Sequence, residues 1–167
     1  MKKRIAMHSV ALSFLLVLSV MVMIFCFSAQ PAVRSSQTSS RIVLWLLHVL
    51  FPNYDSMDSM QQEEIAEIAT LLVRKAAHVA EYAMLGFSLM LHLRLLSIKR
   101  QIKRPASYAF FIGALYAATD ELHQIYVPGR SGEVKDVLLD SSGVLLGILL
   151  MLWILKCAER CRKKRRI

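Results

Sequence analysis

Residues 118–140 read ATDELHQIYVPGRSGEVKDVLLD, a dense polar run between two segments apolar enough to lie in a membrane. Asp120, Glu121, His123 and Gln124 close the first segment, and Asp136 and Asp140 open the second. Between them Pro128-Gly129-Arg130-Ser131-Gly132 makes a turn, because proline and glycine stop helices and glycine gives a tight return its backbone freedom. Ionisable groups at the edge of hydrocarbon are costly, so they usually face a protein interior or a wet cavity and often mark function. Asp120, Glu121, Gln124, Asp136 and Asp140 are therefore candidate site residues. Glu133 and Lys135, outside the helices, read as solvated loop.

Working outward, the 167 residues fit one domain spanning 1–167. Hydrophobic residues make up 56% of the chain and the mean hydropathy is +0.46, which points to a membrane protein rather than a large soluble core. The net charge is +9, and fifteen of the 21 Lys and Arg lie in three short segments, 2–4, 94–104 and 156–166. An even number of spans places those flanks on one side. The positive-inside rule makes that side cytoplasmic, with both termini there. The basic tail from 156 onward reads as an orientation signal and a contact for anionic lipid headgroups, not as a nucleic-acid site. Cys26, Cys157 and Cys161 form no disulfide framework.

Four spans are expected, at about 5–27, 71–93, 106–126 and 134–155, with a cytoplasmic tail at 156–167. The first is too long for a signal-peptide core and reads as a retained helix. At its end, Ser28 and Gln30 are placed to line a polar site. Residues 31–41, rich in Ser, Gln and Thr, read as a loop. The apolar run 42–51 is too short to span and fits an interfacial or re-entrant segment. From Asp58 an amphipathic helix is expected to lead into the second span, with Ser59 and Gln62 spaced as a capping box.

In that second span Arg74, His78, Glu81 and Tyr82 are spaced i, i+4, i+7 and i+8, along one helix face. In the third, Gly113, Ala114, Ala117 and Ala118 permit close packing, as does the Gly143-x-x-x-Gly147 pair of the fourth. If the four spans run out, in, out and in, then Glu81, Asp120 and Asp140 each lie roughly 10 Å below the outer boundary. Three separately placed acids thus reach one depth. Asp120 and Gln124, like Asp136 and Asp140, share a helix face.

The helices can close around an outward-opening polar pocket with Arg74, Arg130 and His78 as counter-charges. Such a pocket could bind a ligand, supply an acid and a base from Glu81, Glu121, Asp136 or His78, or serve only as a structural ion-pair network. A divalent metal on His78, Glu81 and Asp136 is a weaker option, since His78-x-x-Glu81 has usable ligand geometry. No other cofactor is implied, because there is no Gly-rich phosphate loop, zinc-spaced Cys pair or nucleophile elbow.

At these residues the sequence resembles the VanZ-like family of bacterial integral membrane proteins. The resemblance rests on Arg74-Lys75-x-x-His78-x-x-Glu81-Tyr82, Asp120-Glu121-x-His123-Gln124, Pro128-Gly129-Arg130 and Asp136-x-x-x-Asp140-x-x-Gly143. Phe27-Ser28-x-Gln30 fits as well. It implies a multi-pass protein of the bacterial cytoplasmic membrane, in a family whose founding member is associated with teicoplanin resistance. Glu121, Gln124 and Asp136 are the features it most directly carries over. The expected function is to bind or act on an envelope lipid or lipid-linked cell-wall precursor, whose anionic headgroup would meet Arg74 and Arg130.

Overall fold

The computed structural model describes residues 2–164, with the side chains of 8–97 and 100–164. The basic groups at 2–4 and those of Arg165 and Arg166, counted above toward orientation, lie outside these described side chains. The elements are α1 (Lys2–Ser28), α2 (Ala32–Leu50), a 3-10 turn (Tyr54–Ser56), α3 (Ser59–Arg100), α4 (Pro105–Gln124) and α5 (Val134–Lys164). No strand occurs among the described residues, as expected of an all-helical chain.

Among the described residues three helices are long and apolar enough to cross a membrane, over His8–Ser28, within Ser59–Ser97 and over Val134–Lys164. The expected third span, α4, is not among them. Its 20 residues include Ser107, Tyr108, Tyr116, Thr119 and the polar turn 120–124, which dilute its hydropathy. Its inner face is nevertheless built for packing: Ala109, Gly113 and Ala117, four apart, are all buried.

Cross-helix contacts fix the directions. Ser13 Oγ of α1 lies 3.0 Å from His92 Nδ1, late in α3. Tyr116 of α4 donates to the Met21 carbonyl (2.7 Å), and Ser28 at the end of α1 reaches Asp120 near the end of α4. α1 and α4 therefore run one way and α3 the other. α5 runs with α3, since Gly143 faces Val79 and Gly147 faces Ala83. The shared core takes Val17 and Ile24 from α1, Tyr82, Leu85 and Leu89 from α3, Ala117 from α4, and Val144 and Ile148 from α5.

The α3–α5 crossing is a backbone-to-backbone approach. A Cβ at Gly143 would lie 2.5 Å from the Val79 carbonyl oxygen, and one at Gly147 would run into the Ala83 carbonyl and the Phe87 amide. The Gly-x-x-x-Gly spacing thus works within the chain. Gly→Ala in a helix ordinarily stabilises by up to about 1 kcal/mol. At Gly147 we expect the opposite sign, a loss of about 1–3 kcal/mol from overpacking, because backbone cannot rotate away as a side chain can. Thermal unfolding of the detergent-solubilised protein checks this, and a Gly147→Ala melting point at or above wild type would contradict it.

Two local expectations are corrected. Residues 31–41 are not a loop: α2 begins at Ala32, directly after Pro31, and continues through the apolar run to Leu50. The hydroxyls that suggested a loop bond within the helix instead, Thr38 to the Arg34 carbonyl (3.2 Å) and Ser40 to that of Ser36 (2.8 Å). The run 42–51, expected as an interfacial or re-entrant segment, forms the second half of this amphipathic helix. Its Val43 and Leu47 pack with Tyr54, Ile65 and Val73 in a small second core.

Nor is there a capping box on Ser59. Asp58 occupies the cap without a side-chain bond. Gln62 reaches back to the Tyr54 and Met57 carbonyls, both at 3.0 Å, so the 3-10 turn competes successfully for its amide. α3 then continues unbroken for 42 residues, about 63 Å at helical rise and twice the thickness of a hydrocarbon core.

Candidate functional site

The last turn of α4 brings Asp120, Glu121 and Gln124 together, all buried. Asp120 Oδ2 accepts from Ser28 Oγ (2.7 Å) and from Gln124 Nε2 (3.1 Å). The same amide nitrogen approaches Glu121 Oε1 at 3.3 Å. Glu121 Oε2 accepts the Glu133 backbone N–H at 3.0 Å, so this carboxylate holds the entry to α5.

The turn between α4 and α5 requires Gly129, whose φ of +75° is costly for a residue with a Cβ. It carries Arg130 back across the end of α1. There Arg130 Nε donates to the Gln30 carbonyl (3.0 Å), Nη2 to that of Phe27 (3.2 Å) and Nη1 to Gln124 Oε1 (3.1 Å). A guanidinium on the carbonyls at a helix C-terminus is favourable both as a donor and as a charge, here beside the Gln30 N–H that the Phe27 carbonyl also accepts (3.2 Å). Arg130 is thus a clamp joining α1, α4 and the turn. The Pro128 carbonyl adds a bond from Ala32 N–H (3.2 Å), which ties in the start of α2.

Beside this clamp lies a cavity of about 260 Å³. Arg74, His78, Glu121, Gln124, Arg130, Asp136 and Asp140 all line it, so seven of the expected site residues meet. Glu81, Tyr82 and Asp120 do not line it. Tyr82 is fully buried in the core, and Asp120 is tied to Ser28 and Gln124. Lys75 does line it, pairing with Asp136 at 2.7 Å through an exposed contact. The Arg74-Lys75 pair in the sequence was the only signal for it. Glu133, expected to be plain loop, also borders the cavity.

Two features set this cavity apart from a closed ion-pair network. Asp140 is only 1% exposed, yet among the described residues neither carboxylate oxygen has a hydrogen-bond partner, and His78 Nδ1 and Glu81 Oε2 are likewise unpartnered. Native proteins rarely leave buried polar atoms unsatisfied, so each needs a reason. Arg74 also lies close enough to Arg130 for the two guanidiniums to repel. That repulsion, after burial itself, holds the Arg130 pKa below its ordinary value, while Asp120 and Glu121 act in the other direction. Arg74 makes no hydrogen bond or ion pair among the described residues. An anion placed between the two would relieve the repulsion and use donors that Arg130 has left. Among the described residues no three His, Cys, Asp or Glu side chains converge in metal-holding geometry.

Compared with known proteins, residues 13–156 match the VanZ/LLP1 family model, with the whole site inside the matched region. No curated protein and no solved structure matches the chain.

Proposed function

The chain belongs to the VanZ/LLP1 family, and from that premise we propose that its cavity binds the phosphate headgroup of an envelope lipid or lipid-linked cell-wall precursor. The observation that carries the reading is that an uncommitted Arg74 from α3 and a buried, unpartnered Asp140 from α5 line the same cavity. The arginine takes the anion, and the aspartate takes a hydroxyl or ammonium donor next to it. Ligand pockets commonly measure about 300–1,000 Å³. At about 260 Å³ this cavity suits a phosphate with a few neighbouring atoms, while the lipid chain and any sugars remain outside.

In this reading α1, α3, α4 and α5 each cross the bacterial cytoplasmic membrane, and α4 crosses shielded by its neighbours. Both termini are cytoplasmic and the cavity opens toward the outer leaflet. The alternating helix directions support this, as do Arg94, Lys103, Arg104 and Lys156 at the opposite end of the bundle. α2 lies at the outer interface, where Ile42, Leu44, Trp45 and Val49 are exposed.

Sequestering or altering such a lipid would change the targets that glycopeptides meet, which gives a functional test. In a sensitive bacterium, wild type at matched membrane levels is expected to raise tolerance to teicoplanin more than to vancomycin. Arg74→Gln is expected to abolish the gain. Equal protection by both forms would remove this cavity from the mechanism, and none by either would detach this member from a resistance role.

The unpartnered atoms of His78 and Asp140, which both line the cavity, also favour a second reading, acid–base chemistry on the bound headgroup. That reading expects purified protein to convert the headgroup, seen by phosphorus NMR. An unchanged spectrum confines the site to binding.

A further inference from the structure

At the opposite end of the bundle a second cavity, about 490 Å³, lies between α3, the first turn of α4 and α5. Arg94, Lys103, Arg104 and Lys156 line it, with Glu159 as the single acid. All four cations are exposed, and none is paired with a carboxylate among the described residues. Four like charges drawn from three elements repel one another unless an anion sits among them.

Backbone donors point the same way. α4 opens with Pro105, so the Ala106 and Ser107 amides are among the N–H groups that no earlier turn can satisfy. Arg104, at the cap position, makes no side-chain capping bond. The positive end of the helix dipole therefore adds to the four side chains.

The remaining walls are apolar. Met90 is buried, whereas Leu152 is partly exposed, one turn before Lys156 on the α5 face that lines the cavity. Free phosphate gains nothing from such walls; a lipid's glycerol and acyl chains do. Lys156 is set to cover the apolar wall with its stem while its ammonium reaches the rim.

We propose that this cavity is a binding site for an anionic phospholipid of the leaflet facing the basic loop. The phosphate sits among Arg94, Lys103, Arg104 and the α4 amides, and the acyl chains run along Leu152 and Leu155. The proposal rests on the membrane-spanning reading above but not on the ligand of the first cavity.

The test uses the full chain released from detergent in native mass spectrometry, with phosphatidylglycerol and phosphatidylcholine offered separately. Wild type is expected to retain phosphatidylglycerol preferentially. Lys103→Gln/Arg104→Gln is expected to weaken that retention roughly thirtyfold, the scale of two cations lost near an anionic lipid. A second variant, Arg94→Gln/Lys156→Gln, changes other helices and is expected to act in the same direction. Both pairs are exposed, so circular dichroism should match wild type, and Arg74→Gln should leave this retention intact.

Equal retention by wild type and both double variants would overturn the site. So would loss in Arg74→Gln alone, which would place the lipid in the other cavity. Displacement by inorganic phosphate at millimolar concentration would overturn the lipid assignment in favour of a free anion.

Discussion

Arg130→Ala is expected to lower the stability of the detergent-solubilised protein by about 2–4 kcal/mol, because three hydrogen bonds go at once and the Gln30 carbonyl and Gln124 Oε1 lose this donor. The Phe27 and Gln30 carbonyls lie at the end of α1, while Gln124 Oε1 belongs to the buried cluster on α4. The cost stays below the sum of three separate bonds, since the Phe27 contact is exposed and water can replace it. Arg130→Lys should recover only part of the loss: one ammonium cannot reproduce a planar fork aimed at three oxygens. Thermal unfolding gives the magnitude. Limited proteolysis gives the place, with cleavage expected to appear first in the turn 125–133. An Arg130→Ala protein that melts and digests like wild type would show that the clamp contributes nothing.

Asp140→Leu is expected to do the reverse, raising stability while abolishing function. Asp140 is almost fully buried with both oxygens unpartnered, and Glu121, Asp120, Asp136 and Glu81 all act on it electrostatically. Exchanging an unsatisfied buried polar group for an apolar one of similar size should gain about 1–3 kcal/mol. Sites shaped for a ligand commonly carry such a penalty when empty. Asp140→Asn keeps the size and remains polar, so its stability should stay near wild type while any role needing a carboxylate is lost. The pair of readouts is what discriminates. If Asp140→Leu loses stability, the carboxylate is a structural element and the cavity argument loses one of its two supports.

How far the chain could be read from its sequence depends on the kind of signal. The α1, α3 and α5 spans were legible from long apolar runs, which burial in hydrocarbon demands. α4 was legible as a helix, but its composition is only half that of a span, because one face packs Ala109, Gly113 and Ala117 against neighbours. The helix at 32–41 was hidden because Ser and Thr hydroxyls serve turns as readily as they bond the carbonyl four residues back in a helix, and composition does not say which.

In the site, the meeting of Arg74 with His78 and of Asp136 with Asp140 followed from helix faces, whereas of the three acids placed at one depth only Asp140 lines the cavity. What no spacing could reveal was how the donors are distributed. Arg130 and Arg74 look alike in sequence, yet one is committed to three protein acceptors and the other is uncommitted. Lys75 was passed over because its neighbour Arg74 occupies the expected face, and only the length of its side chain carries it to Asp136.

The most direct test of the central claim is the affinity of wild type and Arg74→Gln for a polyprenyl phosphate, with the corresponding polyprenol as control. Wild type is expected to bind the phosphate and not the alcohol. Arg74→Gln should weaken phosphate binding about 10- to 100-fold, the scale of a lost charge-assisted contact, while melting like wild type. Equal affinity of wild type for phosphate and alcohol, or unchanged phosphate affinity in Arg74→Gln, would contradict a headgroup site at this cavity.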